Sequence, residues 1–291
     1  MLEGIITKGY SGFYYVHSGV QLWECSLRGR FRLNAQDFLP GDRVKISPLK
    51  GTKGVIEEVL PRINSLIRPA IANVDQVVVV SAASEPEPDF NLLDRILIQV
   101  DAAKIAPLIC INKADLVSPD ELEELVKPYQ KTGYALIEVS VKSGQGIAEL
   151  RQVLKDKISV FAGSSGVGKS SLLNAVQPGL ELKMGEVSQK LRRGRHTTRH
   201  VELLQLEFGG LVADTPGFSS LNLPAMQRQD LAGFFPEIQE LAHKCRFTTC
   251  VHWQEPQCAV KDGVEQGIIN PKRYKNYLSF LSEVIEQERR Y

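Results

Sequence analysis

Short apolar and polar alternations fill the first 64 residues, each closed by turn-forming residues. The runs lie at 4–8, 13–17, 21–26, 42–47 and 54–59, and Gly9, Ser11-Gly12, Ser18-Gly19, Gly29, Pro40-Gly41 and Gly51 separate them. Five short strands in this length predict a small β-barrel. An OB-fold is one solution, and the pattern leaves an SH3-like barrel open.

From Asn64 the texture changes. Residues 74–81 read as a buried strand, 91–104 as an amphipathic helix, 107–112 as a strand and 119–131 as a helix that Ser118 can N-cap. A strand at 134–140, a short helix at 147–154 and a strand at 158–162 follow. This alternation implies a parallel sheet covered by helices on both faces. After Ser220 it stops, and a cysteine-containing tail begins with helical patterns at 228–242 and 271–289. Three parts are therefore expected: a barrel over 1–64, an α/β domain over 65–220 and a helical domain over 221–291.

Length alone, 291 residues, suggests about two domains, so the pattern changes that estimate. A 43% hydrophobic share excludes wholesale disorder. The net charge of +1 points to no partner, yet it averages +3, −2 and 0 over the three parts. In the barrel, Arg28-Gly29-Arg30-Phe31-Arg32 interleaves an aromatic with cations, which reads either as an RNA-facing stretch or as a solvated loop. Residues 1–10 lack a basic segment followed by an apolar run, and the stretch around Val77-Val78-Val79-Val80 is too short to span a bilayer. A cytoplasmic protein with no membrane partner is expected, and a monomer is the simplest reading. Cys25 and Cys110 stand alone and read as buried thiols.

Gly163-Ser164-Ser165-Gly166-Val167-Gly168-Lys169-Ser170 matches G-x-x-x-x-G-K-[ST], between an expected strand and the helix that Ser170 and Ser171 open. Glycines let successive N–H groups face phosphate, and the helix N-terminus adds positive charge. Lys169 is placed for the β- and γ-phosphates, and the Ser170 hydroxyl for Mg²⁺.

Asn112-Lys113-Ala114-Asp115 ends the 107–111 strand, where open α/β sheets bind ligands. Guanine offers an N1–H and a 2-amino group, and one carboxylate, Asp115, can accept both. Adenine has an acceptor at N1 and no 2-amino group, so the same carboxylate repels it. Asn112 would fix loop and base, the Lys113 stem would cover the ring, and Ser140-Val141-Lys142 fits the loop whose N–H meets the guanine carbonyl. GTP and GDP are the expected ligands.

Asp214-Thr215-Pro216-Gly217 follows the apolar Leu211-Val212-Ala213. Asp214 fits an Mg²⁺-orienting acid, and Gly217 fits the N–H that senses γ-phosphate. Residues 190–199 hold five cations and no acid, with Thr197 and Thr198 as candidates for a threonine that ligates Mg²⁺ only beside γ-phosphate. Position 218 is Phe, not the Gln that places water in many GTPases, so slow intrinsic hydrolysis is expected. Cys245, Cys250, His252 and Cys258 offer three thiolates and an imidazole within 14 residues, a closed set suited to one structural Zn²⁺; His243 is the rival imidazole. Lys244, Arg246, Lys261, Lys272, Arg273 and Lys275 are read as a local basic face.

The order of motifs is unusual, because the guanine motif precedes the phosphate loop, which precedes both switches. Joining the termini of an ordinary GTPase and cutting elsewhere gives this order. The second switch then runs straight into the tail, and γ-phosphate loss is expected to alter hydrogen exchange across 219–260.

The combination resembles the circularly permuted GTPases known as ribosome small subunit-dependent GTPase A. The resemblance covers essentially the whole chain. It implies an OB-fold, a permuted P-loop GTPase domain and a zinc domain, a role in late maturation of the small ribosomal subunit with rRNA contact, and hydrolysis accelerated on that subunit. It also favours Thr198 over Thr197 as switch threonine and supports His196 as a catalytic group. The alternative class is an RNA-binding assembly factor whose nucleotide regulates affinity, with hydrolysis incidental.

Overall fold

The computed structural model describes residues 1–29, 31, 37–180, 201–214 and 222–289, with only the backbone of Asp214. Five strands open the chain: β1 (Leu2–Tyr10), β2 (Phe13–Ser18), β3 (Gln21–Leu27), β4 (Arg43–Pro48) and β5 (Lys53–Val59). They close into a barrel in the order β1-β2-β3-β5-β4, with β4 paired back onto β1. β3 and β5 run parallel and the other pairs antiparallel. That order is the OB arrangement and decides between the two barrels. Ile6, Val16, Cys25, Val44, Ile46 and Ile56 fill the interior with no exposed surface, each stabilising by about 1.5–3 kcal/mol. Only every second residue points inward, which is why the alternation was readable. β1 carries a bulge: Ile6 faces Val16 but Lys8 faces Tyr15, leaving Thr7 as the extra residue. The Arg28 to Arg32 stretch is partly structural, since Arg28 pairs with Glu57 at 2.6 Å and Phe31 meets Phe38 edge-on at 5.6 Å. Arg30 and Arg32 lie outside the described residues.

A hairpin of β6 (Ser65–Leu66) and β7 (Ile71–Ala72) follows, too short to show as a period-two pattern. The α/β part comprises β8 (Gln76–Ala82), α1 (Phe90–Ala102), β9 (Ala106–Asn112), α2 (Pro119–Val126), β10 (Ala135–Glu138), α3 (Ile147–Leu154), β11 (Ile158–Ala162), α4 (Lys169–Val176), β12 (Leu204–Gln205) and β13 (Leu211–Asp214). The sheet order is β10-β9-β8-β11-β13-β12; β9–β10 and β11–β13 are parallel, and β12 is an antiparallel edge. All seven residues of β8 are buried, as a strand covered on both faces requires. Ser118 caps α2 in a reciprocal box with Glu121. The helix expected over 119–131 ends at Val126 and tightens into a 3₁₀ turn, Lys127–Tyr129, because Pro128 has no N–H to continue it.

The last part holds α5 (Pro236–Ala242), α6 (Ala259–Glu265) and α7 (Pro271–Glu288). The helix expected over 228–242 is broken: a 3₁₀ turn, Leu231–Phe234, stops at Phe235, which is extended (φ −123°, ψ 90°) ahead of Pro236. Leu231, Phe235, Ile238, Val260, Tyr277, Phe280 and Val284 form its core, joined by Ile98 of α1.

The chain divides into two compact units. One is Met1–Val78 with Ile147–Ala162 and Lys169–Phe218; the other is Val79–Gly146 with Gly163–Gly168 and Ser219–Tyr291. Among the described residues no helix is long and apolar enough to cross a membrane.

Candidate functional site

The phosphate loop begins where β11 ends. Gly163 has φ 139°, and a Cβ there would run into the Val80 carbonyl oxygen. Gly168 has φ 93°, and a Cβ would strike Asn112 Nδ2. Between them Ser165 and Gly166 are exposed, Ser164 is half-buried and Val167 is buried. Lys169 opens α4, with Ser170 and Ser171 in its first turn.

Asn112, at the end of β9, is buried and donates through Nδ2 to the Val167 carbonyl at 2.8 Å. Its own carbonyl accepts from Ala83 N–H at 2.8 Å. Its Oδ1 is buried with no partner among the described residues, so one acceptor is left for a further donor. Lys113 takes a left-handed conformation (φ 61°) and its ammonium donates to the Glu85 carbonyl. This turns the chain into the 3₁₀ turn Ala114–Leu116, on which Asp115 is exposed.

Asp115 is held from behind. Its Oδ1 accepts from the buried Ser140 hydroxyl at 2.5 Å, and that hydroxyl accepts from Ser143 N–H at 3.1 Å. Ala114 N–H donates to the Val139 carbonyl at 3.1 Å. The two loops are thus one hydrogen-bonded body, with Val141 and Lys142 exposed beside the carboxylate. An oriented carboxylate, open to solvent on its working side, suits a ligand edge with two donors. Of the second switch, the backbone of Asp214 ends β13. Thr197, Thr198, His196, Gly217, Phe218 and the whole 190–199 stretch lie outside the described residues.

The tail brings Cys245, Cys250, His252 and Cys258 together, with all four ligand atoms within 4.8 Å of one another. His252 Nδ1 lies 3.5 Å from both the Cys245 and Cys258 sulfurs, so Nδ1 is the ring nitrogen that faces the cluster. Burial pushes the Cys250 thiol up to about 12, with the neighbouring sulfurs adding to that. The set fits one structural zinc ion. α7 braces the loop: Tyr274 O–H donates to the His252 carbonyl at 2.7 Å and Tyr277 O–H to the Val251 carbonyl at 2.9 Å. Glu255 accepts from Val251 N–H at 2.8 Å and Trp253 N–H at 2.9 Å. His243 is exposed at the end of α5, outside the cluster. Cys25 and Cys110 are buried, and burial pushes their thiols up to about 11 and about 12, as inert core residues.

The RsgA GTPase family model matches residues 59–224, and the RsgA N-terminal domain model matches residues 3–56. The chain belongs to the RsgA GTPase family. A small ribosomal subunit biogenesis GTPase RsgA from Moorella thermoacetica is 53% identical over 288 residues, spanning 99% of each chain. A relative of the same name from Carboxydothermus hydrogenoformans is 48% identical over 289 residues, again 99% of each. Among solved structures, YjeQ from Thermotoga maritima has a TM-score of 0.84 at 38% identity, covering 98% of both chains. YloQ, described as a circularly permuted GTPase, has a TM-score of 0.82 at 40% identity, covering 99% of this chain and 96% of that one. The permuted motif order is therefore that of an RsgA GTPase, a GTP hydrolase.

One buried group of this RsgA GTPase was misplaced by sequence reasoning. Arg273 is not part of a basic face: it is 1% exposed. It pairs with Asp94 of α1 and, through Nε at 2.8 Å, with Glu237 of α5. Asp94 also accepts from Tyr129 O–H at 2.9 Å and Asn276 Nδ2 at 2.7 Å. The guanidinium lies 4.6 Å from the Phe235 ring centre. A signal was present, because Arg273 heads the stripe Tyr277, Phe280, Leu281, Val284, Ile285 at helical spacing. A cation on that stripe implies buried acids, which local pattern cannot name.

Proposed function

We propose that this GTPase docks on the small ribosomal subunit late in its maturation, in the cytoplasm and as a monomer, and that GTP hydrolysis times its release. Three parts share the work: residues 1–64 as the barrel that meets rRNA, 65–220 as the nucleotide switch and 221–291 as the zinc-braced domain. The observation that carries the reading is the joined pair of loops. Ser140 holds Asp115 with its other side open to solvent, and Asn112 ties that turn to the loop at Val167, which supports a guanine nucleotide spanning the two. The relatives whose full length the chain matches are named for small ribosomal subunit biogenesis, which supports the partner.

In this reading Gly163, Ser164, Ser165, Gly166, Val167 and Gly168 present N–H groups to phosphate, and Lys169 neutralises the β- and γ-oxygens. Ser170 and Thr198 hold the Mg²⁺ that accompanies GTP, with Asp214 orienting it and Gly217 sensing the γ-phosphate. Phe218 can neither polarise nor place a water, so the catalytic group is His196 or one supplied by the subunit. His196→Ala that keeps GDP affinity and loses stimulated turnover assigns it to the chain; unchanged stimulated turnover assigns the group to the partner. Phe218 equally supports the second reading, in which nucleotide sets affinity and hydrolysis is incidental.

The direct test of docking is co-sedimentation with purified small subunits. The protein should pellet with them in the presence of a non-hydrolysable GTP analogue and stay in the supernatant with GDP. Equal pelleting in both states would remove the switch from the account.

A further inference from the structure

The bulge in β1 has a partner outside the barrel. Thr7, the extra residue, turns its carbonyl away from β2 and accepts from Leu203 N–H at 2.9 Å, while its hydroxyl donates to the Tyr15 carbonyl at 3.2 Å. Beside it, Lys8 Nζ donates to Glu202 Oε1 at 2.8 Å and lies 4.9 Å from the Tyr15 ring centre. The two side chains are 32% and 17% exposed, and Glu202 Oε2 is buried with no partner among the described residues. Leu203 itself is buried. A bulge conserves nothing for the barrel's own ladder; here it re-aims one carbonyl and one ammonium at a single short segment.

That segment sits at a particular place in the chain. Leu203 directly precedes β12, which pairs with β13 through Leu204–Val212 and Gln205–Leu211. β13 ends at Asp214, and Thr198 lies four residues before Glu202 in sequence. The hairpin of β12 and β13 therefore joins the two segments assigned to Mg²⁺ and γ-phosphate, and the barrel grips it by one backbone hydrogen bond and one ion pair.

We propose that Lys8 and Glu202, with the Thr7 carbonyl, are positioning residues for the subunit-stimulated rate alone: RNA bound to the barrel biases the hairpin between the switches through this grip. The inference rests on the reading above that small-subunit RNA meets the barrel and stimulates turnover. A strand clamped at one end transmits a displacement that a flexible linker would absorb, and the partly buried pair is screened less than a surface one. The coupling reaches hydrolysis without either residue touching nucleotide.

The test compares unsubstituted protein, Glu202→Gln and the charge swap Lys8→Glu with Glu202→Lys. Single-turnover GTP hydrolysis is measured across a titration of small subunits, alongside basal turnover and thermal melting. Glu202→Gln should lower the saturating stimulated rate by about two- to fivefold, the range expected for one partly exposed ion pair. Basal rate and half-saturating subunit concentration should stay unchanged, melting should fall by no more than a few degrees, and the swap should restore the stimulated rate. An unchanged stimulated rate in Glu202→Gln overturns the proposal. So does a loss that the swap fails to restore, or one that appears only as weaker subunit binding. Absence of stimulation in the unsubstituted protein overturns the functional reading itself and this inference with it, and is told apart because it precedes any substitution.

Discussion

Asn112 and Val167 lie 55 positions apart in sequence and share a buried 2.8 Å hydrogen bond, so the Asn112–Asp115 turn and the glycine–lysine loop form one piece. Gly168 makes this possible by taking φ 93° and leaving room for the Asn112 amide. Gly168→Ala adds a methyl where that amide sits and forces alanine into the left-handed region. It should cost at least about 1 kcal/mol of stability and weaken GDP binding tenfold or more, as read by melting and calorimetric titration.

In the proposed reading, base choice rests on the Asp115 charge. Asp115→Asn replaces a double acceptor with a group that also donates, leaving guanine's N1–H and 2-amino group short of a partner. GTP affinity should fall by about two orders of magnitude or more, while xanthosine triphosphate, with an acceptor at C2, should gain. Competition binding with the two nucleotides reads both changes.

Removing Arg273 leaves Asp94 and Glu237 buried without their cation. Arg273→Met should destabilise by about 3–5 kcal/mol at neutral pH. Burial raises the Asp94 carboxyl above its ordinary value, against the opposing pulls of Arg273, Asn276 and Tyr129. In the variant the pull of Arg273 is lost, so the carboxyl rises further. The folded state then binds more protons than the unfolded one between the two pKa values, and stability falls as pH rises through that window. The loss in Arg273→Met should accordingly shrink toward acidic pH in chemical denaturation.

Zinc should be present at one equivalent per chain. Modifying the thiols should release it to a metal-sensitive dye, and Cys258→Ser should lower the content. Because α7 braces the metal loop through Tyr274 and Tyr277, release should also expose tail amides to hydrogen exchange. Thiol modification that releases no zinc would count against the site.

What could be read from the chain was whatever local chemistry fixes. Period-two strands, the Ser118 cap and the glycine–lysine loop depend on neighbours within a few residues, and the structure follows them closely. The four metal ligands were legible because soft donors so close together have few other uses. The barrel type was not, since strand order depends on which edges meet. Nor was the fate of Arg273, whose acids arrive from α1 and α5, or the bulge at Thr7, whose partner lies near position 203. Phe31 shows the same limit: beside arginines it resembles a stacking platform, yet it meets Phe38.

The central claim, that this GTPase is a switch driven by the small ribosomal subunit, is tested most directly by its GTP hydrolysis rate with added small or large subunits. The account predicts slow turnover alone, strong acceleration by small subunits and none by large ones. Turnover that is fast alone, or equal with either subunit, would contradict it.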